Sequence, residues 1–147
     1  AWDADETPRV LDRMHRACAG AGATEGMALV TCNRVELYAV GAHEQPVCDS
    51  LREFLAVVGG RTASDVAAAT YAAHGEQAVR HLFRVASSLD SMVRGEPQIL
   101  GQLKDALAAS VRATRAQRLL CFLRIFGTTI YKKLKDWIRY RLMLSLS

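Results

Sequence analysis

Chemistry in this sequence centres on a thiol set among polar residues. Cys32 lies in Thr31-Cys32-Asn33-Arg34, a polar break between the apolar stretches Met27 to Thr31 and Val35 to Val40. A side chain at such a break can face a cleft at a sheet edge rather than the core. A nucleophilic cysteine needs that exposure, and a nearby cation favouring the thiolate over a thiol whose free pKa is ~8.5. Arg34 is the nearest such cation along the chain. By position alone, Cys32 fits a small buried hydrophobe better than a nucleophile. Arg34 fits either a bidentate grip on a carboxylate or a solvated charge at a strand end. The Asn33 amide suits a turn brace first and a substrate contact second.

A second set of polar groups lies downstream. His81 sits among apolar residues at helical spacing, where a hydrogen-bonded core histidine competes with a proton-transfer role. Ser91 and Glu96 suit helix caps, Glu96 also favouring the positive end of a helix dipole. Pro97 belongs in a first turn, and Gln98 and Gln102, four apart, share one helix face. The other cysteines form no Cys-x-x-Cys pair; Cys18 and Cys48 fall on apolar helix stripes and Cys121 lies far downstream. His15 is three residues from Cys18, but two ligands do not make a site, so neither a metal centre nor a disulfide framework is expected. His15, His43 and His74 read as surface or turn residues.

The elements that must position these groups follow from the apolar spacing. Thr7 as N-cap with Pro8 in the first turn opens a helix on Val10, Leu11, Met14, Ala17 and Cys18, which Gly20 to Gly22 end. The two apolar stretches around Cys32 read as strands. Pro46 opens a helix on Val47, Leu51, Phe54, Leu55 and Val58, closed by Gly59-Gly60. Ser64 suits the cap of a short alanine-rich helix, followed by a strand from Thr70 to Ala73. Glu76 to Ala86 reads as a helix, and Pro97 starts a long one through Ile99, Leu100, Leu103, Ala106, Leu107 and Val111. Helices and a few strands interleave, so the class is α+β.

The 147 residues suffice for one domain with a core, half of them hydrophobic and 23% charged, as in globular proteins. No charged-then-apolar leader opens the chain, and no apolar run approaches the ~20 residues of a membrane span. With the cysteine pattern, this indicates a reducing cytoplasm. The net charge of +4 averages two unlike parts: residues 1–111 carry 10 cations and 14 anions, net −4, whereas residues 112–147 carry 9 and 1, net +8. Alanine supplies 23 of the first 117 residues and none of the last 30. The composition break falls near Arg115 to Arg118.

Thr31-Cys32-Asn33-Arg34-Val35-Glu36-Leu37-Tyr38 closely resembles the cysteine signature of glutamyl-tRNA reductases. The stretch from His81-Leu82-Phe83-Arg84 through Ser91, Gly95-Glu96-Pro97-Gln98 to Gln102 looks like the second signature of that family, in its order and at about its spacing. The resemblance implies a ferredoxin-like catalytic domain over residues 1–115, with a small antiparallel sheet, helices packed on it and a long helix following. It implies NADPH-dependent reduction of glutamyl-tRNA to glutamate-1-semialdehyde, the first step of tetrapyrrole synthesis, with Cys32 forming a glutamyl thioester. It also implies that His81 acts beside the thiol, and that Thr31, Asn33, Arg34, Ser91, Glu96, Pro97, Gln98 and Gln102 contact the substrate.

The resemblance further places the family's opening strand ahead of Ala1, and its NADPH domain and dimerising helices beyond this chain. The aminomutase of the next step is a candidate partner, and the full-length family is homodimeric. A sheet without its opening strand is expected to show a gap or an open edge. No Gly-x-Gly-x-x-Gly occurs here, so the chain is expected to form the thioester and lose it to water. Residues 116–147 are read as a basic amphipathic helical tail. A change of sequence origin, a membrane- or nucleic-acid-facing helix, and a helix docked on the open sheet edge all fit that tail. The competing functional class is a non-catalytic fragment that binds tRNA or a partner.

Overall fold

The computed structural model describes residues 6–31, 34–86, 97–114 and 141–146. Helix α1 (Thr7–Ala19) has Pro8 in its first turn and buries Val10, Leu11, Met14 and Cys18. These residues recur every three or four positions, as one helical face requires. Its N-cap is Glu6 rather than Thr7, and no side-chain hydrogen bond caps it. Gly22, at φ 85°, takes the left-handed conformation that turns the chain into β1 (Ala23–Val30).

Strand β1 pairs antiparallel with β2 (Val35–Gly41), from Ala23 opposite Gly41 to Val30 opposite Val35. Beyond the last pair, the Thr31 N–H donates to the Arg34 carbonyl at 2.9 Å and continues the ladder. From Glu36 to Ala39, β2 is buried at every position, so it is covered on both faces. Leu37 and Ala39 pack with α1 and with α2 (Glu44–Gly59), while Tyr38 packs with Met27 and Leu29 against helices on the other face.

Helix α2 has His43 at its N-cap and ends at Gly60, whose φ of 59° is the left-handed cap that glycine adopts without strain. The short α3 (Ala63–Ala69) is capped by Thr62, not Ser64: Thr62 Oγ1 accepts from Asp65 N–H, and the Asp65 carboxylate accepts from Thr62 N–H. That reciprocal pair satisfies two of the donors a helix start leaves open, which a cap at Ser64 would not. Strand β3 (Thr70–His74) then joins α4 (Glu76–Ala86) through the single residue Gly75, at φ 53°. Helix α5 (Pro97–Thr114) packs on β1 and on α1 and α4.

The sheet order is β1-β2-β4-β3, and β4 (Arg141–Leu146) is antiparallel to both of its neighbours. The α+β class with an antiparallel sheet and packed helices agrees with the sequence. The helical tail is corrected at its end, because residues 141–146 are a strand. Leu142, Leu144 and Leu146 alternate with Arg141, Met143 and Ser145, a period-two pattern that suits a strand. The strand also satisfies backbone groups of β2 and β3 that a helix would leave unpaired. The expected gap is therefore filled between β2 and β3. The rest of 116–147 lies outside the described residues.

Where β2 ends, Gly41 is enclosed. A Cβ there would stand 2.9 Å from Val47 Cγ2 and 3.0 Å from the Gly22 carbonyl oxygen. The second neighbour is backbone and cannot turn aside. Gly41→Ala is expected to lower stability by about 1–3 kcal/mol, the usual cost of overpacking. A fall in the urea midpoint at unchanged slope would show it; an unchanged midpoint would mean that the β2–α2 corner yields.

Candidate functional site

The Thr31–Arg34 junction is held from both sides. Arg34 N–H donates to Thr31 Oγ1 at 3.2 Å, and Thr31 Oγ1 is 3.4 Å from the Arg34 carbonyl that also receives the Thr31 N–H. A hydroxyl at position 31 thus braces the hairpin end, a local role for Thr31 beside any substrate contact. Cys32 and Asn33, between these residues in the chain, lie outside the described residues, as do Ser91 and Glu96.

Two residues past Arg34, the carboxylate of Glu36 is fully enclosed and gathers three side chains. Arg34 Nη1 approaches Oε1 at 3.3 Å, His81 Nε2 lies 2.8 Å from the same oxygen, and Tyr38 Oη donates to Oε2 at 2.5 Å. Glu36 and Tyr38 alternate with Leu37 along β2 and so face α4, where His81 sits. The partners come from one strand and from a helix 45 residues away in sequence. A buried carboxylate is tolerated when its lone pairs are met by donors, and here they are.

Burial pushes the Glu36 pKa upward, but the hydrogen bonds from His81 and Tyr38 and the charges of His81 and Arg34 outweigh it and hold the carboxyl below its ordinary value. Tyr38 is driven well above the usual phenol range, first by burial and then by the adjoining carboxylate. An ionised Glu36 only accepts, so His81 Nε2 carries the hydrogen directed at it. Tyr71 stands edge-on to the imidazole, with ring centroids 6.1 Å apart and planes at 80°.

The sign of the acid response follows from that depressed carboxyl. Its folded pKa is below its unfolded one, so its contribution to stability is present above the unfolded value of about 4.3 and is lost as pH falls through the folded value. The urea midpoint should drop through this acid window, and a Glu36→Gln chain should show a shallower drop. Equal slopes in the two chains would remove Glu36 as the source.

The structure brings Arg34 and His81 onto one carboxylate. Pro97 and Gln98 open α5, and Gln102 lies half-buried one turn further along it. Leu103, Ala106 and Leu107 of α5 share a cluster with Leu82 and Val85 of α4, so the helix bearing Gln98 and Gln102 covers the same sheet face as the helix bearing His81. Among the described residues the partners of Glu36 are Arg34, His81 and Tyr38, and Gln102 does not join them. Sequence reasoning missed Glu36 itself, although a lone carboxylate inside Val35-Glu36-Leu37-Tyr38 was a usable signal. A charge in an otherwise apolar strand must find partners or face solvent.

Cys18 and Cys48 are buried, as their helix stripes indicated. Burial pushes the Cys18 thiol up to about 11 and raises that of Cys48 as well, so neither favours the thiolate. His43 is exposed, and His15 and His74 are half-buried, with His74 Nδ1 3.5 Å from Glu44 Oε2. Among the described residues, no three His, Cys, Asp or Glu side chains are grouped to hold a metal ion, and no helix is long and apolar enough to cross a membrane.

The chain is thus an antiparallel α+β domain in which Arg34 and His81 meet on one buried carboxylate. Residues 1–134 match the family model described as glutamyl-tRNAGlu reductase, N-terminal domain, and the chain belongs to that family. It is 53% identical over 85 residues to the glutamyl-tRNA reductase of Syntrophotalea carbinolica, a match covering 58% of this chain and 19% of that protein. With its namesake from Nitratidesulfovibrio vulgaris strain DP4 it shares 54% identity over 88 residues, 60% of this chain and 20% of the relative. Against the Shewanella oneidensis protein of the same name the identity is 41% over 105 residues, 71% of this chain and 24% of the relative. The chain thus spans about a fifth to a quarter of the length of these relatives. No solved structure matches it.

Proposed function

We propose that this chain carries the acyl-transfer half of glutamyl-tRNA reduction, with Cys32 accepting the glutamyl group as a thioester. In that step Sγ bonds to the ester carbonyl carbon, the bond from that carbon to the ribose oxygen of the tRNA breaks, and the thiol proton passes to that oxygen. Cysteine suits the step because a thioester is more electrophilic than the ester it replaces. The observation that carries the reading is the braced Thr31–Arg34 junction, covalently continuous with Cys32, whose Arg34 shares the Glu36 carboxylate with His81.

Within this reading Arg34 favours the thiolate and meets the glutamyl carboxylate through its planar guanidinium. Glu36 holds the His81 ring through Nε2, and His81 assists proton transfer beside the thiol. Thr31, Asn33, Ser91, Glu96, Pro97, Gln98 and Gln102 supply further substrate contacts, of which Pro97, Gln98 and Gln102 belong to α5.

The described residues do not fit NADPH. Every strand pairing in the sheet is antiparallel, and the strand-to-helix connections at 41–44 and 74–76 hold no glycine-rich phosphate turn. The described residues therefore form no seat for the hydride donor. Where no hydride reaches it, the thioester is cleaved by water, giving free glutamate and restoring the thiol. The wider setting of the reading is tetrapyrrole synthesis in the cytoplasm, with NADPH held elsewhere, the aminomutase of the next step as a partner, and a homodimeric full-length enzyme.

The test is intact-mass analysis after brief exposure of the chain to glutamyl-tRNA. One glutamyl adduct, localised to Cys32 and removed by hydroxylamine, is expected in the wild type, and none in Cys32→Ser. An equal adduct in the mutant would refute the proposal.

A further inference from the structure

Among the described residues, the strand latest in sequence, β4, is not at the edge of the sheet but inside it. Leu144 faces Leu37 on one side and Ala72 on the other, so β2 and β3 meet only through β4. Two strand spacings, about 9.6 Å, therefore separate the strand bearing Glu36 from the strand leading to α4. The single residue Gly75 ties α4 to β3, and α4 packs across both β3 and β4.

One rung of this ladder passes through the candidate site. Glu36 on β2 is opposite Ser145, and Ser145 is opposite Tyr71 on β3. His81 touches both ends of the rung, with Nε2 2.8 Å from Glu36 Oε1 and its ring against Tyr71 at 6.1 Å. The imidazole can meet both only while one strand, in this register, lies between them. A slip of β4 by one residue against either neighbour would move the two contacts apart along the strands.

We infer that β4 is a positioning element for the site: the backbone at Ser145 sets the spacing and register at which His81 meets Glu36 and Tyr71. This goes beyond the acyl-transfer reading but rests on it for its catalytic meaning. The chain would then position its own site with the strand Arg141–Leu146.

The experiment uses the full chain labelled with 15N at histidine, so its readout does not depend on acyl transfer. Ser145→Pro removes an amide N–H and disturbs the rung, whereas Arg141→Pro acts at the first residue of β4, which pairs with β2 alone. The hydrogen-bonded Nε2 signal of His81 and its cross-peaks to the Tyr71 ring should vanish in Ser145→Pro and persist in Arg141→Pro. Methyl signals of Leu11 and Leu51 report whether the α1–α2 side remains folded. Retention of the His81 signature in Ser145→Pro, or its equal loss in both folded variants, overturns the inference.

If Ser145→Pro does not fold, the cross-strand pair Val40→Cys/Arg141→Cys decides. Facing positions on paired strands meet disulfide spacing. On oxidation the disulfide should form and carry the His81 signature to higher urea than in the reduced chain. Failure of the bond to form in a folded chain, or a His81 transition that ignores it, overturns the inference.

Discussion

Glu36→Ala is expected to cost about 3–5 kcal/mol of stability, the loss that follows when one partner is removed from a buried ionic group. The carboxylate accepts from Arg34, His81 and Tyr38 at once, so its removal takes an acceptor from two basic side chains and a buried phenol together. Tyr38 is 6% exposed, too enclosed for water to replace the lost acceptor without rearrangement. Glu36→Gln keeps the volume and one acceptor oxygen, and should cost less, roughly 1–3 kcal/mol. Urea unfolding of the three chains measures both values, and acyl transfer to Cys32 should fall in the same order. If alanine proves no worse than glutamine, the carboxylate is filling space rather than organising its donors.

Leu37→Ala, one residue along, should be about as damaging to the fold, at about 2–5 kcal/mol, yet leave the site's hydrogen bonds in place. Leu37 is fully buried among Ala28, Ala39 and the apolar faces of α1 and α2, on the opposite side of β2 from Glu36. The truncation opens a cavity there without touching Arg34, His81 or Tyr38. The expected outcome is a lowered unfolding midpoint with the His81 Nε2 signal unchanged at low denaturant. If that signal shifts as it does in Glu36→Ala, the two faces of β2 are mechanically coupled and the site depends on packing behind it.

Much of this arrangement was legible in the sequence because local spacing carries it. The helix faces of α1, α2 and α4 follow the three- and four-residue recurrence of their apolar side chains, and the strands around Cys32 follow from two apolar runs divided by a polar break. Caps were less legible. Thr62 and Ser64 are both good N-caps, and only the reciprocal bond with Asp65 separates them.

Long-range pairing was not legible in the spacing of the residues themselves. His81 finds Glu36 because β3 returns beside β4, and nothing within a few residues of either encodes that meeting. The fate of residues 141–146 shows the same principle. Their leucines can be counted into a helical stripe or into an alternation, and the open backbone groups of two distant strands favour the second.

The double coverage of β2 makes its residues a matter of parity. Even positions 36 and 38 belong to the hydrogen-bonded side and odd positions 37 and 39 to the apolar side, with no solvent-facing set to absorb an error. One residue inserted between Arg34 and Glu36 would exchange the two sets, sending a carboxylate into the α1–α2 cluster and a leucine toward His81. Many single substitutions along this strand can be softened by repacking nearby. A change in the count from the cysteine segment to Glu36 has no such remedy, so this short stretch tolerates altered letters better than an altered length.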